Sequence, residues 1–276
     1  MQPTDYWLLT TFMQHLTPNR LFITDQKRNQ RRLEDQMNRR EFLTGTVPAF
    51  TALAATASSM AEEPAPAAGA TQDLQPITLV KPQTDGGKSV LAALQERRTI
   101  RSIKEDKLPP QVLSNLLWAA NGVNREKGPF GQAGRTAASA SNSQEMDLYV
   151  VMPEGMYLYE AVPHRLAPVA AGDQRAKVGR GRGGAAAKAP VNLVYVADIA
   201  RYSQAKLQEP GLKDPDIQKS YYNVATGLIA GNVYLFAASQ GLAAWFHNCD
   251  KAGLAAVLKL RPEQRVLYAQ TVGYPG

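Results

Sequence analysis

Arg97-Arg98-Thr99-Ile100-Arg101 is the run in this sequence whose residue types and spacing suggest ligand chemistry first. In an extended chain Arg97, Thr99 and Arg101 project to one side, with Arg98 between them on the other. Two guanidinium forks flanking a hydroxyl suit a phosphate that carries a polyol tail. Taken alone, the spacing equally describes a solvated basic face. Two other stretches add to it. Arg135 to Gln144 is small and polar, with Ser139 and Asn142 inside it, and it lets backbone and short side chains lie against a flat ligand; a plain serine-rich loop is the bland alternative. Trp245-Phe246-His247-Asn248 offers aromatic and hydrogen-bonding groups. His247 could donate a proton, stack on a ligand or simply be exposed. Cys249, the only cysteine, reads as a small buried hydrophobe rather than a redox thiol.

The elements that must position these residues can be read from periodicity. Ser89 to Arg97 is a short amphipathic helix with apolar residues at 90, 91 and 94. Pro109-Pro110 opens a second helix, with Val112, Leu113, Leu116 and Leu117 on one face and a stop at Gly122. Asn124 to Arg135 reads as a loop. Strands are expected at Met146 to Met152, Met156 to Glu160, Arg165 to Val169, Val191 to Ala197 and Val266 to Val272, the fourth of them central. Asp216 to Gly241 is a long helix and Ala252 to Leu258 a short one. Helices mixed with hairpin strands imply an α+β layered fold. Tyr221 to Phe246 carries no charge, but Asn223, Thr226, Asn232, Ser239 and Gln240 argue against a membrane span. A core helix that also meets a dimer partner fits better, with Gly227 and Gly231 allowing close approach.

Composition narrows the function classes. The chain has 31 Lys+Arg, 24 Asp+Glu and a net charge of +7, without a long basic run, which suits an anionic ligand better than nucleic acid. One cysteine permits no internal disulfide, and no histidine–carboxylate grouping has metal-ligand spacing. Gly179-Arg180-Gly181-Arg182-Gly183-Gly184 satisfies G-x-G-x-x-G, yet no strand leads into it and too few residues follow for a crossover helix, so it reads as a basic loop.

The N-terminal part has a different character. Asn38-Arg39-Arg40-Glu41-Phe42-Leu43, followed by an uncharged run to Ala61, resembles a twin-arginine export signal. Ser59-Met60-Ala61 places the cut after Ala61. That implies residues 37–61 as signal peptide, a periplasmic mature protein and the twin-arginine export machinery as a partner. Met37 is then the expected start, with residues 1–36 an upstream extension or misplaced start. Residues 62–88, rich in Pro, Ala and Gly, read as a linker, and 89–276 as the functional domain.

Over Ser89 to Gly276 the sequence resembles the nitroreductase family, and more closely its thiazoline-oxidase-like branch of flavin dehydrogenases. The carrying segments are Arg97 to Arg101, Leu117 to Arg125, Arg135 to Tyr149, Gly155 to Tyr159, Ala189 to Asp198, Gly231 to Phe236 and Gln270 to Pro275, in that order. The resemblance implies a central mixed sheet flanked by helices, with a long helix at a homodimer interface and one FMN per subunit bound there. Arg97, Arg98, Thr99 and Arg101 would hold the phosphate and ribityl chain. Ser139 and Asn142 would reach the flavin from the partner subunit, and His247 and Asn248 would face the ring near N5, with His247 the candidate catalytic residue. The implied activity is an FMN-dependent oxidoreductase acting on a small-molecule substrate. A flavin carrier without turnover and a flavin-consuming oxygenase of the same fold are the alternatives. Outside the cytoplasm nicotinamide is a poor donor, so the expected electron source is a reduced small molecule or a membrane partner. The sequence departs from the family at Ala138, where a proline is usual, and at Glu145-Met146 in place of Pro-Trp. It ends at Gly276 without the further basic residues of many relatives, which places more of the phosphate binding on the first arginine cluster.

Overall fold

The computed structural model describes residues 74–179 and 184–276; the expected export signal, its cut site and the segment 180–183 lie outside these residues. In chain order they form β1 (Ile77–Thr78), α1 (Val90–Glu96), α2 (Pro110–Asn121), β2 (Val123–Arg125), β3 (Gly134–Arg135), β4 (Met146–Met152), β5 (Gly155–Glu160) and β6 (Arg165–Ala171). Then follow the single turns α3 (Arg175–Val178) and α4 (Ala185–Lys188), β7 (Val191–Asp198), α5 (Ala200–Gln204), the long α6 (Pro215–Ser239), β8 (Ala243–His247), α7 (Lys251–Val257) and β9 (Gln264–Gly273).

The α+β layered architecture is the one expected. A seven-stranded sheet runs β1-β6-β5-β4-β7-β9-β8. Where a mixture of strand directions was expected, all its pairings among the described residues are antiparallel; tight turns at 153–154 and 161–164 make two of them, β4 with β5 and β5 with β6. β4 and β7 are buried along their whole length. Side chains alternate across a strand. Leu148, Val150, Leu193 and Tyr195 therefore enter a core shared with α2 and α6. Tyr149, Val151, Val194 and Val196 enter a second core that includes Leu254 of α7 and Cys249, which is 2% exposed.

Helix α6 divides by face. Asp214 caps it by accepting from the N–H groups of Asp216 and Ile217 at 2.9 and 3.3 Å, and Pro215 fills the first turn. Ala225, Ile229, Ala230, Val233 and Ala237 are buried against the sheet. Asn223, Val224, Gly227 and Leu228 lie on the opposite, exposed face. Among the described residues no helix is long and apolar enough to cross a membrane. Gln270 locks sheet to helix by accepting from the Tyr195 hydroxyl at 2.5 Å and donating to the Ala230 carbonyl at 3.3 Å.

Three local readings change. In α1 the apolar residues Val90, Leu91 and Leu94 point outward, 67, 78 and 52% exposed, and the small Ala93 is the residue buried, at 2%. A seven-residue helix lying close against α6 accommodates a methyl at that contact more readily than a leucine. The supposed loop Asn124 to Arg135 contains the β2–β3 hairpin. The linker reading also reaches too far, because β1 pairs with β6 and Leu79 is buried. This edge is fastened by a chain of hydrogen bonds. The Ser114 hydroxyl donates to the Val80 carbonyl at 2.5 Å, and the His164 ring lies 2.8 Å from Ser114 Oγ and 2.9 Å from the Tyr159 hydroxyl. As for the glycine-rich motif, helix α3 rather than a strand precedes Gly179.

Candidate active site

The arginine run begins where α1 ends. Arg97 N–H closes the last turn on the Ala93 carbonyl, and the chain then straightens so that Ile100 N–H donates to the Ala244 carbonyl of β8 at 3.0 Å. Ile100 turns inward to Ile103, Ala189 and Ala243. Arg97 and Thr99 therefore turn the other way, toward Tyr234 of α6. The Tyr234 hydroxyl accepts from Phe246 N–H at 2.9 Å and lies 3.0 Å from Thr99 Oγ1. The amide occupies a lone pair, which leaves the hydroxyl hydrogen for Thr99. The Arg97 guanidinium sits 5.4 Å from the Tyr234 ring centre, and that of Arg101 sits 5.9 Å from the Trp245 ring.

None of these guanidiniums is neutralised. Arg165, Arg175, Arg201 and Arg261 each pair with a carboxylate, whereas Arg135 and Arg265 bond to amide or carbonyl oxygens. Arg97, Arg98 and Arg101 are exposed and pair with none among the described residues. Glu96, the acid next in sequence, is occupied by Lys88.

β8 carries the second group of candidates. Gly241, with φ of +68°, takes the left-handed turn that ends α6 and aims the chain back along β9. Trp245 and His247 lie two residues apart on one strand, so their rings share a side, with centroids 4.3 Å apart. The His247 ring is held at both nitrogens: Nδ1 is 2.8 Å from the Asn248 carbonyl and Nε2 is 2.8 Å from Thr271 Oγ1. Burial holds its pKa below the ordinary histidine value. Asn248 is exposed.

The serine-rich loop is the third group. Ser141, Asn142 and Gln144 have φ of +49°, +52° and +49°, a conformation that asparagine tolerates and the others adopt only under constraint. The Gln144 side chain is the constraint. It accepts from Arg135 Nε at 2.9 Å and donates to the Ala133 carbonyl and to Asn142 Oδ1, while Ser139 Oγ accepts from its backbone N–H. Burial lowers the pKa of Arg135. Beside the loop is a cavity of about 270 Å³ lined by Arg135, Arg201, Gln132 and Gln144. Behind it Arg201 binds the Gln144 carbonyl and Asp147, and Asp198 binds Arg261. Glu145, fully buried beside Ser143 and Tyr202, has its pKa raised by burial.

Within one chain, then, Arg97, Thr99, Arg101, Trp245 and His247 gather around Tyr234 and β8. No hydrogen bond or ion pair among the described residues ties Ser139 or Asn142 to them. Sequence reading did not single out Tyr234, Thr271 or Asn192. Tyr234 sits between Val233 and Leu235 in the charge-free part of α6, where its hydroxyl was the available signal. Thr271 and Asn192 sit inside apolar strands, where a buried polar side chain is the signal. A larger pocket of about 410 Å³, lined by Trp118, Asn124, Asn232 and Phe236, shares no residue with the arginine run. Among the described residues no cluster of three or more His, Cys, Asp or Glu could hold a metal.

The structure is thus an α+β protein, an antiparallel sheet layered with helices, with guanidiniums that have no carboxylate partner beside its β8 edge. The sequence profile of the Nitroreductase family matches residues 94–274, and the chain belongs to that family. A Methanocaldococcus jannaschii protein whose name places it among nitroreductases is 31% identical over 161 residues, 54% of this chain and 73% of that protein. A crystal structure of a Ralstonia eutropha protein, also placed by name among nitroreductases, is 33% identical with a TM-score of 0.64, covering 73% of this chain and 90% of the other. An Anabaena variabilis structure shares the fold at 15% identity and a TM-score of 0.54, covering 68% of this chain and 38% of its own. Members of the family are flavin-dependent oxidoreductases and are often homodimers.

Proposed function

We propose that the protein is an exported FMN-dependent oxidoreductase of the thiazoline-oxidase-like branch, working as a homodimer on a small-molecule substrate. The observation that carries this reading is the set of three arginines along β8 without a carboxylate partner. Their charges are open to an anion, and a flavin phosphate fits their fork geometry. Thr99 and Arg98 would meet the ribityl chain and outer phosphate oxygens. Ser139 and Asn142, which make no hydrogen bond to the arginine cluster in one chain, would come from the partner subunit. The exposed apolar side chains Val224 and Leu228 on α6, and Val90, Leu91 and Leu94 on α1, support such a partner.

A bound flavin supplies two-electron chemistry at its N5. The protein's part is to hold the phosphate with Arg97 and Arg101, to orient the ring beside the β8 backbone at His247 and Asn248, and to exclude water with Trp245. The twin-arginine motif at Arg39-Arg40 supports export after folding. The donor in that compartment is then a reduced small molecule or a membrane partner rather than nicotinamide.

The test is the absorption spectrum and released cofactor of protein purified from the periplasm, followed by anaerobic addition of reductants. A flavin spectrum, FMN on release and repeated turnover of an added electron acceptor are expected. Colourless protein that takes up no FMN would falsify the reading.

A further inference from the structure

The hydrogen bonds around His247 demand a definite number of hydrogens. Asn248 presents a carbonyl to Nδ1, which can only accept, so Nδ1 must carry a proton. Asn192 donates its amide to the Ala186 carbonyl at 2.9 Å, which fixes its Oδ1 as the atom facing Thr271. Thr271 Oγ1 lies 2.7 Å from that Oδ1 and gives it the one hydroxyl hydrogen it has. What Thr271 has left for His247 Nε2, at 2.8 Å, is a lone pair. Three contacts need three hydrogens, and a neutral imidazole leaves one contact without any. Asn192 and Thr271 are fully buried, so water cannot repair a gap at their end of the chain, while the Asn248 end is exposed and closes on the protein only when Nδ1 also carries a hydrogen.

We infer that His247 acts as a protonation-dependent positive charge beside the arginine run, poised by Thr271 and Asn192, and not as the proton donor to substrate. Nε2 points inward to Thr271 and Nδ1 is held by the Asn248 carbonyl, so both ring hydrogens are already engaged within the protein. The charge sits under Trp245, on whose ring Arg101 also rests, and it adds to the field that draws an anion to Arg97 and Arg101. Thr271 and Asn192 are positioning residues, and they act through hydrogen count rather than contact with a ligand. β7 and β9 offer His247 only the uncharged Asn192 and Thr271. The charged groups on the adjoining segments are Arg97, Arg98 and Arg101, and Asp250 and Lys251 at the start of α7. Asp250 accepts from Gly253 N–H and Lys251 lies over the Tyr268 ring. Burial opposes the charge, and the hydrogen-bond chain opposes burial.

The inference rests on the flavin reading for its use, but its test does not. The His247 ring is titrated by NMR in the full-length protein without flavin, its signal assigned by loss in His247→Gln. Thr271→Val removes the lone pair and should lower the titration midpoint by about one pH unit. Asn192→Ala touches no ring atom, yet it frees the Thr271 hydroxyl to satisfy a neutral ring and should lower the midpoint comparably. Thr271→Ser should restore the wild-type value, and it is the control if Asn192→Ala does not fold. A second series measures FMN binding against pH, which should weaken above the wild-type midpoint, with the whole dependence moved about one pH unit lower in Thr271→Val. Midpoints unchanged in both Thr271→Val and Asn192→Ala would overturn the inference. Shifted midpoints in a protein that binds no FMN would leave it standing while removing the flavin reading.

Discussion

His164 and His247 sit toward opposite edges of the same sheet, and each has both ring nitrogens within 2.9 Å of protein groups. Their hydrogen counts differ. Around His164, the Ser114 hydroxyl gives its hydrogen to Val80, Nε2–H gives one to Ser114, and the Tyr159 hydroxyl gives one to Nδ1. Every contact closes with a neutral ring, and the chain does one thing, which is to fasten β1 and α2 to the β5–β6 turn. Around His247 the same kind of network closes only with a charged ring, and beside it lie three unpaired arginines. One edge is finished as a piece of structure, whereas the other is completed only by added charge and an added anion. The difference separates a structural histidine from a functional one without reference to exposure, since both are partly shielded.

The contrast can be broken most severely at the arginines. Arg97→Ala and Arg101→Ala should each weaken FMN binding by about 10- to 100-fold, from the worth of a charge-assisted hydrogen bond, read by flavin fluorescence titration. Thermal unfolding of the flavin-free protein should hardly change. His164→Ala should show the reverse pattern. It strands buried Ser114 and Tyr159 groups and should cost about 1–3 kcal/mol in urea unfolding, with FMN affinity unaltered. If His164→Ala instead abolished flavin binding while leaving stability intact, the two edges would not be distinct in the way described. Tyr234→Phe is a milder probe, losing the hydrogen bonds to Thr99 and Phe246, and should weaken FMN about fivefold.

Acid sharpens the contrast further. Burial holds His164 below its ordinary value of 6.5, so the unfolded chain takes up the proton first. The stability contributed by its neutral form is present above about pH 6.5 and falls as the pH drops below it. His164→Gln should flatten that part of the stability profile measured by urea unfolding between pH 7 and 5.

Much of this was legible in the sequence, and the exceptions have physical causes. The apolar strands β4 and β7 and the helices α2 and α6 follow from local pattern, α2 with a proline start and a glycine stop. The arginine run was visible as spacing, but its lack of acidic partners was not, because Glu96 is adjacent in sequence and only the fold shows it bound to Lys88. The outward face of α1 was misread because periodicity gives a helix an apolar side without saying whether the chain itself covers it. β8 was hidden behind α6, since a five-residue strand continuing an uncharged helix shows no change of composition. The Asn192–Thr271–His247 chain joins positions 79 and 24 residues apart, and no local pattern reports a contact across three strands.

The most direct test of the account compares FMN with riboflavin, which lacks only the phosphate, as ligands of the wild-type protein and of the Arg97→Ala, Arg101→Ala double variant. Wild-type protein should bind FMN at least tenfold more tightly than riboflavin, and the double variant should bind the two alike. Equal affinities in the wild type, or an undiminished preference for FMN in the double variant, would contradict the assignment of these guanidiniums to a flavin phosphate.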